Sequence, residues 1–140
     1  MLRKALLSCI ILGTTAFPAH AENIKGDLAV VRALDKVTAT TSDYNVAVGD
    51  TLRYGSLEIT VRHCEKKPPE ETPETFVFLQ VLEPGKAVKE GEDPVVDETG
   101  AEIDPTKLFS GWMFASSPAL SSLEHPVYDI WVLDCLKSGR

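Results

Sequence analysis

The pattern of apolar and polar positions along the chain is typical of a β protein. In residues 57–62 the two kinds alternate, with Leu57, Ile59 and Val61 on one side and polar side chains on the other. This period of two predicts a half-buried strand. Cys64 falls on the polar side of the alternation, so a bulge or the end of the strand must turn it inward if it is bridged.

Further short strands are predicted between turn-forming residues. Residues 41–43 are polar and predict a hairpin turn, and turns are also predicted at 49–50 and 55–56. The nearly continuous apolar run Phe76–Leu79 predicts a central strand covered on both faces. Residues 127–135 carry large side chains on both sides, which again favours a central strand. The remaining predicted strands are 28–35, 37–41, 44–48, 51–54 and 108–115.

Two segments depart from the strand pattern. Ser117 before Pro118 is typical of a helix start, with serine as the cap and proline at the first helical position. That helix must end before Pro126, which prevents its continuation. Residues 84–107 are acidic and contain several glycines and prolines. They predict a flexible insertion with a small hairpin around residues 97–100.

Seven or eight short strands within about 110 residues predict an all-β fold. We expect a single small β-sandwich or barrel-like domain over residues 22–140, with one short helix near the C-terminal strand. The chain contains no heptad pattern, no internal repeat and no long amphipathic helix.

The first 21 residues have the three parts of a secretory signal. Basic residues come first, residues 5–17 are apolar and uncharged, and residues 19–21 place small side chains before a cleavage site. The apolar stretch is shorter than the roughly 20 residues that a membrane-spanning helix needs. We expect cleavage before Glu22, a periplasmic location and no transmembrane span afterwards. An uncleaved anchor and lipid attachment at Cys9 are the alternatives.

Removal of this signal makes the chain strongly acidic. The full chain has 14 basic and 21 acidic residues, and Arg3 and Lys4 leave with the signal, so the formal charge becomes −9. A chain of this charge is poorly suited to phosphate backbones, and it has no cluster of basic residues with interleaved aromatics. Nucleic acid and anionic lipid head groups are therefore not expected as partners.

Cys64 and Cys135 are the two cysteines that remain once Cys9 is removed. An exported chain with two cysteines allows one intramolecular pairing, and an oxidising compartment favours that bridge. Two separate buried thiols are the alternative.

Residues 112–131 concentrate the side chains that could carry chemistry. A serine hydrolase could be assembled from Ser116 or Ser117 with His125 and Asp129, but no Gly-x-Ser-x-Gly elbow is present. The favoured interpretation is structural. Ser117 caps the helix, and a buried, hydrogen-bonded Asp129 ties down the corner between Ser116 and His125.

The aromatic residues Trp112, Phe114 and Trp131 are expected mainly to fill the core. Gly111 directly before Trp112 removes cover from that edge, which would leave an indole open as a partner-binding patch. No metal or cofactor is expected, because the histidines lack ligand spacing and residues 97–100 do not match a calcium loop.

Three segments together resemble the domain-of-unknown-function family 2155. They are 55–64 (GSLEITVRHC), 109–120 (FSGWMFASSPAL) and 123–135 (LEHPVYDIWVLDC). The resemblance covers the chain from Leu28 and implies a small exported protein of Gram-negative bacteria, without an assigned activity or agreed catalytic residues. Residues 86–107 are longer than the link usual in that family, which favours a tolerated surface insertion.

The sequence favours a non-catalytic periplasmic binding or accessory module that meets another protein of the cell envelope. Two further hypotheses remain. One is an accessory subunit or assembly factor of an inner-membrane complex, such as a respiratory complex. The other is a small hydrolase acting on an envelope polymer.

Overall fold

The computed structural model describes residues 21–139, and residues 1–20 of the predicted signal lie outside this range. The described chain forms eight strands: β1 (Ile24–Lys25), β2 (Leu28–Asp35), β3 (Thr40–Ala47), β4 (Thr51–Tyr54), β5 (Leu57–Lys66), β6 (Thr75–Leu82), β7 (Lys107–Phe114) and β8 (Tyr128–Leu136). Two short 3₁₀ helices lie at Pro84–Lys86 and Pro118–Ser121. No helix within residues 21–139 has the length and apolar character needed to cross a membrane.

The strands form two antiparallel sheets that pack face to face as a small sandwich. The first sheet has the order β1-β5-β6-β7, and β4 pairs with the opposite end of β5 from β1. The second sheet has the order β3-β2-β8. The prediction of an all-β fold is confirmed, and the sheets of the described chain form a sandwich rather than a closed barrel.

The core between the sheets consists mostly of aliphatic side chains of small and medium size. Val31 of the second sheet and Ile59 and Leu79 of the first have no exposed surface. Along β5 the buried positions Leu57, Ile59 and Val61 alternate with more exposed ones, which confirms the half-buried strand. The strands that supply the core thus contribute one face to it and leave the other face outside.

The disulfide joins Cys64 of β5 to Cys135 of β8 and thereby connects the two sheets. Their Cα atoms are 5.7 Å apart, and both residues are 1% exposed. A bulge precedes each cysteine: the strand register shifts around Arg62 in β5 and around Leu133 in β8. An extra residue reverses the side to which the following side chains point. The bulges thus turn both cysteines inward.

The hairpin turn predicted at residues 41–43 is wrong. The turn lies at residues 36–39, where Asp35 Oδ1 accepts a hydrogen bond of 2.8 Å from the Val37 backbone N–H and Ala39 has a positive φ of 54°. Residues 41–43 are part of β3 and pair with β2. Strand β3 is an edge strand with many polar residues. Its composition is therefore similar to that of a turn.

Three further expectations about single elements need correction. Strand β8 has large side chains on both an inner and an outer face, but among the described strands it pairs with β2 alone and is therefore an edge strand. Strand β6 is central in its sheet, but only its inner face is covered, and Phe76 and Phe78 are half-exposed. Ser117 makes no side-chain cap hydrogen bond, and the helix after it is a 3₁₀ turn of four residues.

The insertion contains the predicted small hairpin. Val96 and Glu102 form an isolated antiparallel bridge, and Gly100 takes a positive φ of 81° at the turn between them. Asp97 Oδ1 accepts backbone hydrogen bonds from Thr99 at 2.8 Å and Ala101 at 3.1 Å. The hairpin is held by local bonds and contributes no residue to the core.

Replacing both bridged cysteines, by Cys64→Ala with Cys135→Ala, should lower the free energy of unfolding by about 4 kcal/mol. The bridge spans 71 residues, and its removal frees a long loop in the unfolded chain. Urea unfolding of the variant and of the wild-type protein measures the difference. Reduced wild-type protein should unfold at the same urea concentration as the variant. An unchanged midpoint in both would contradict the prediction.

Gly26→Ala should cost about 2 kcal/mol of stability, because a side chain there overpacks a rigid site. A Cβ atom at Gly26 would lie 2.6 Å from the backbone oxygen of Leu136 and closer still to Cys135 Sγ. The matched control is Gly85→Ala, since nothing lies within 4 Å of a Cβ atom at that position. Equal thermal midpoints for the two variants would count against the close packing at Gly26.

Candidate functional site

The residues of the hypothetical hydrolase lie at opposite ends of the sandwich. Ser116 donates a hydrogen bond to Glu74, which immediately precedes β6. His125 contacts Glu83, which immediately follows β6. A strand of eight residues is about 25 Å long. The structure therefore does not bring the serines to His125, and the expected Ser116–His125 corner does not exist.

His125 is buried, with 4% of its side chain exposed, and its ring nitrogens have fixed roles. Nδ1 accepts hydrogen bonds from the backbone N–H groups of Val127 at 3.2 Å and Tyr128 at 3.1 Å. Nδ1 therefore carries no proton in this arrangement, and the ring proton is on Nε2. Nε2 lies 3.3 Å from Glu83 Oε1 and donates to it.

Glu83 is the centre of this polar cluster. Ser56 Oγ donates to its Oε1 at 2.6 Å, and Lys86 Nζ lies 2.9 Å from its Oε2. The hydrogen bonds from Ser56, Lys86 and His125 outweigh partial desolvation and lower the pKa of the Glu83 carboxyl from 4.5 to about 2. The carboxylate lies between the serine hydroxyl and the imidazole, so the imidazole does not contact the serine here.

Aromatic contacts extend this cluster. The His125 ring stacks on Tyr128 with centroids 5.2 Å apart and planes 8° from parallel. Tyr128 also meets Tyr54 edge to face at 5.3 Å. The cluster thus ties the β4–β5 turn, the end of β6 and the segment before β8 to one another.

Ser116 belongs to a second polar cluster, around Glu74. The Ser116 hydroxyl and its backbone N–H both donate to the Glu74 carboxylate, and the Thr75 N–H adds a bond of 2.9 Å. Desolvation opposes ionisation, but these bonds prevail and hold the pKa of Glu74 below its ordinary value. Ser117 Oγ lies 3.4 Å from Ser116 Oγ at the edge of the cluster.

Asp129 was predicted to be buried, but it is not. Its side chain is 37% exposed and lies 2.7 Å from Lys36 Nζ. Lys36 Nζ also donates to the backbone oxygen of His125 at 2.9 Å. Asp129 thus anchors the β2–β3 turn near the start of β8, because position 129 points to the outer face of its strand.

The outer face of the first sheet carries a cluster of aromatic side chains, which we call the aromatic face. Trp112 lies at the centre of the aromatic face and is 40% exposed. Its indole meets Phe78, His63 and Phe76 edge to face, with centroid distances of 5.4, 5.5 and 6.3 Å. Phe114 lies beside Phe76 at 6.3 Å. These side chains belong to β5, β6 and β7, and they point away from the core.

The expectation that Trp112, Phe114 and Trp131 fill the core does not hold. All three lie on outer faces, because the inner positions of their strands are taken by Met113, Ile130 and other buried residues. Trp131 lies on the second sheet and takes no part in the aromatic face. It lines a small groove of about 200 Å³ with Pro118, Ser122, Leu123, Asp129 and Ile130.

The sequence contains a signal for part of the aromatic face and none for the polar cluster around Glu83. Phe76 and Phe78 share one side of β6, opposite Val77 and Leu79, so strict alternation predicts that the two rings lie on the same face. Ser56 and His125 are separated from Glu83 by 27 and 42 positions. No local pattern links residues so far apart in the chain.

Within residues 21–139 no three histidine, cysteine, aspartate or glutamate side chains lie close enough together to hold a metal ion. The two polar clusters each contain one carboxylate, which contacts neighbouring side chains or backbone groups. The aromatic face is therefore the candidate functional surface of the described residues.

Comparison with known proteins places the chain in a family. The family described as "Uncharacterized protein conserved in bacteria (DUF2155)" matches residues 29–135, and the chain belongs to it. This result confirms the resemblance found in the sequence.

One relative of the chain is an uncharacterised protein of Rickettsia prowazekii (strain Madrid E). It is 32% identical over 103 residues, which cover 74% of this chain and 57% of that protein. The chain thus matches less than two thirds of the length of this relative. No solved structure matches the chain.

Glu83→Gln should lower the stability at neutral pH by about 2 kcal/mol, after allowance for partial solvent screening. The folded-state pKa of about 2 lies below the ordinary value of 4.5, so the carboxylate stabilises the fold above pH 4.5. This contribution is lost as the pH falls towards 2. The wild-type and variant unfolding free energies should therefore converge over this interval in urea titrations at several pH values.

The matched control for Glu83→Gln is Glu90→Gln, at an exposed glutamate of the insertion. The free energy of unfolding of Glu90→Gln should match that of the wild-type protein at every pH. Parallel curves for Glu83→Gln and wild type between pH 4.5 and 2 would show that the cluster around Glu83 does not stabilise the ionised form.

Proposed function

We propose that this protein is a non-catalytic binding module of the bacterial cell envelope, and that a partner protein covers its aromatic face. The observation that carries the proposal is the exposure of Trp112, whose indole contacts three aromatic neighbours on one sheet face. Exposed apolar surface is costly in water, and tryptophan is enriched at the centres of protein interfaces.

The position of Trp112 supports this role. It lies on β7, which is an edge strand, so no neighbouring strand covers the indole from that side. The surrounding rings hold the indole in place through edge-to-face contacts, which lowers the conformational entropy that binding would cost. A rigid aromatic side chain in a preformed surface is typical of a binding anchor.

The dispersal of the polar residues favours binding over catalysis. Ser116 is bonded to Glu74 at one end of the sandwich, and His125 is bonded to Glu83 at the other. In each cluster a serine hydroxyl donates to a carboxylate, and neither cluster places a serine in contact with a histidine. A hydrolase of the serine–histidine type would need that pair within hydrogen-bond reach.

The location in the envelope rests on the N-terminal sequence pattern and on the bridged cysteines. A cleaved signal would carry the domain to an oxidising compartment, where the Cys64–Cys135 bridge is stable. The partner is then another envelope protein. A subunit of an inner-membrane complex would be one such partner, in which case this protein is its accessory subunit or assembly factor.

The substitution Trp112→Ser should weaken partner binding at least about 30-fold, because loss of a central anchor typically costs 2 kcal/mol or more. Mature tagged protein is used to recover partners from detergent-solubilised envelopes, and the recovered partner is then titrated against wild type and variant. A partner that binds Trp112→Ser as tightly as wild type would refute the aromatic face as its contact surface.

The control for this experiment is Val37→Ser. Val37 is 78% exposed in the β2–β3 turn, on the other sheet. The variant removes a similar area of exposed apolar surface, but this surface lies outside the aromatic face. The binding affinity should therefore stay at the wild-type value. Weaker binding by this variant would place the contact surface elsewhere.

A further inference from the structure

One part of the aromatic face forms a shallow groove with a carboxylate in its wall. The groove has a volume of about 250 Å³ and is lined by Glu65, Phe76, Trp112 and Phe114. The planes of Trp112 and Phe76 are 76° apart, and those of Phe76 and Phe114 are 58° apart. The rings therefore form walls at an angle to each other rather than one flat platform.

Glu65 is held at the edge of these rings. Its side chain is 18% exposed, and Oε2 lies 3.2 Å from His63 Nε2 while Oε1 accepts a bond of 3.4 Å from Asn23. Lys25 is its partner across the strand ladder, yet the described residues contain no ion pair between them. The carboxylate of Glu65 is thus held beside the groove by His63 and Asn23.

The faces of aromatic rings carry partial negative charge and attract cations within about 6 Å of the ring centre. A carboxylate in the same wall adds a full negative charge, and the chain without its signal has a formal charge of −9. We infer that this groove receives a cationic side chain, an arginine, from the partner polypeptide. The inference rests on the proposed function, since it concerns the same aromatic face.

Arginine fits the groove better than a free organic cation. The groove is shallow and open, whereas a small ligand needs a pocket that buries most of its surface. A side chain carried by a partner surface needs no such enclosure, because the surrounding contacts hold it in place. The planar guanidinium stacks on an indole and also donates to a carboxylate, which a lysine ammonium does less well.

The test uses two peptides that differ in charge alone. Acetyl-Gly-Arg-Gly-amide and its neutral citrulline analogue are titrated into mature protein labelled with nitrogen-15, and the indole N–H signals are followed by NMR. The arginine peptide should shift the Trp112 signal saturably and bind about five times more tightly than the citrulline peptide. Trp131 lies on the other sheet, so its signal serves as an internal control and should not move.

Glu65→Gln tests the contribution of the carboxylate to the preference. The variant should lose most of its preference for the arginine peptide, because only the attraction of the aromatic rings remains. An unchanged Trp131 signal would show that the fold is intact. Equal binding of the two peptides by wild-type protein would overturn the inference. A Trp112 response to phosphatidylcholine vesicles but not to the arginine peptide would overturn it as well, in favour of a lipid head group.

These outcomes separate the inference from the proposed function. If Trp112→Ser loses the partner while Glu65→Gln retains it at full affinity, the binding face stands and the arginine inference fails. If Trp112→Ser retains the partner, the proposed function fails, whatever the peptides do.

Discussion

The disulfide between the two sheets is the constraint on which the rest of the structure depends. Cys64 and Cys135 lie on strands of different sheets, and each points inward only because a bulge precedes it. A one-residue shift would move a cysteine to the outer surface, where the bridge could not form. The bridge therefore fixes the register of β5 and β8 together, and Gly26 leaves the space that the sulfur atoms need.

This register decides which side chains face water. Aliphatic residues occupy the inner positions, and the space between the sheets is filled by residues such as Val31, Ile59 and Leu79. The larger rings of Phe76 and Trp112 lie on the alternate positions and are excluded from the core by their direction alone. A cluster of rings on the outer face is costly in an isolated protein, which is the physical argument for a partner.

The polar clusters at the two ends of β6 have a different task. Glu83 and Glu74 each collect hydrogen bonds from segments distant in the chain, and both carboxyl groups have a lowered pKa as a result. These hydrogen bonds connect the loops at each end of the sandwich. Because His125 and Ser116 belong to separate clusters, residues that look like a catalytic set in the sequence do not lie together in the structure.

The sequence by itself determined the strands with a clear alternation, the bridged pair of cysteines and the family, since each depends on local patterns or on residue type. It did not distinguish the polar strand β3 from a turn, and it did not show that β8 is an edge strand. Tertiary structure alone decided that Trp112 is exposed and that Glu83 meets Ser56 and His125. The reason is that local periodicity records which face a side chain takes, whereas strand order and contacts between distant segments decide what covers that face.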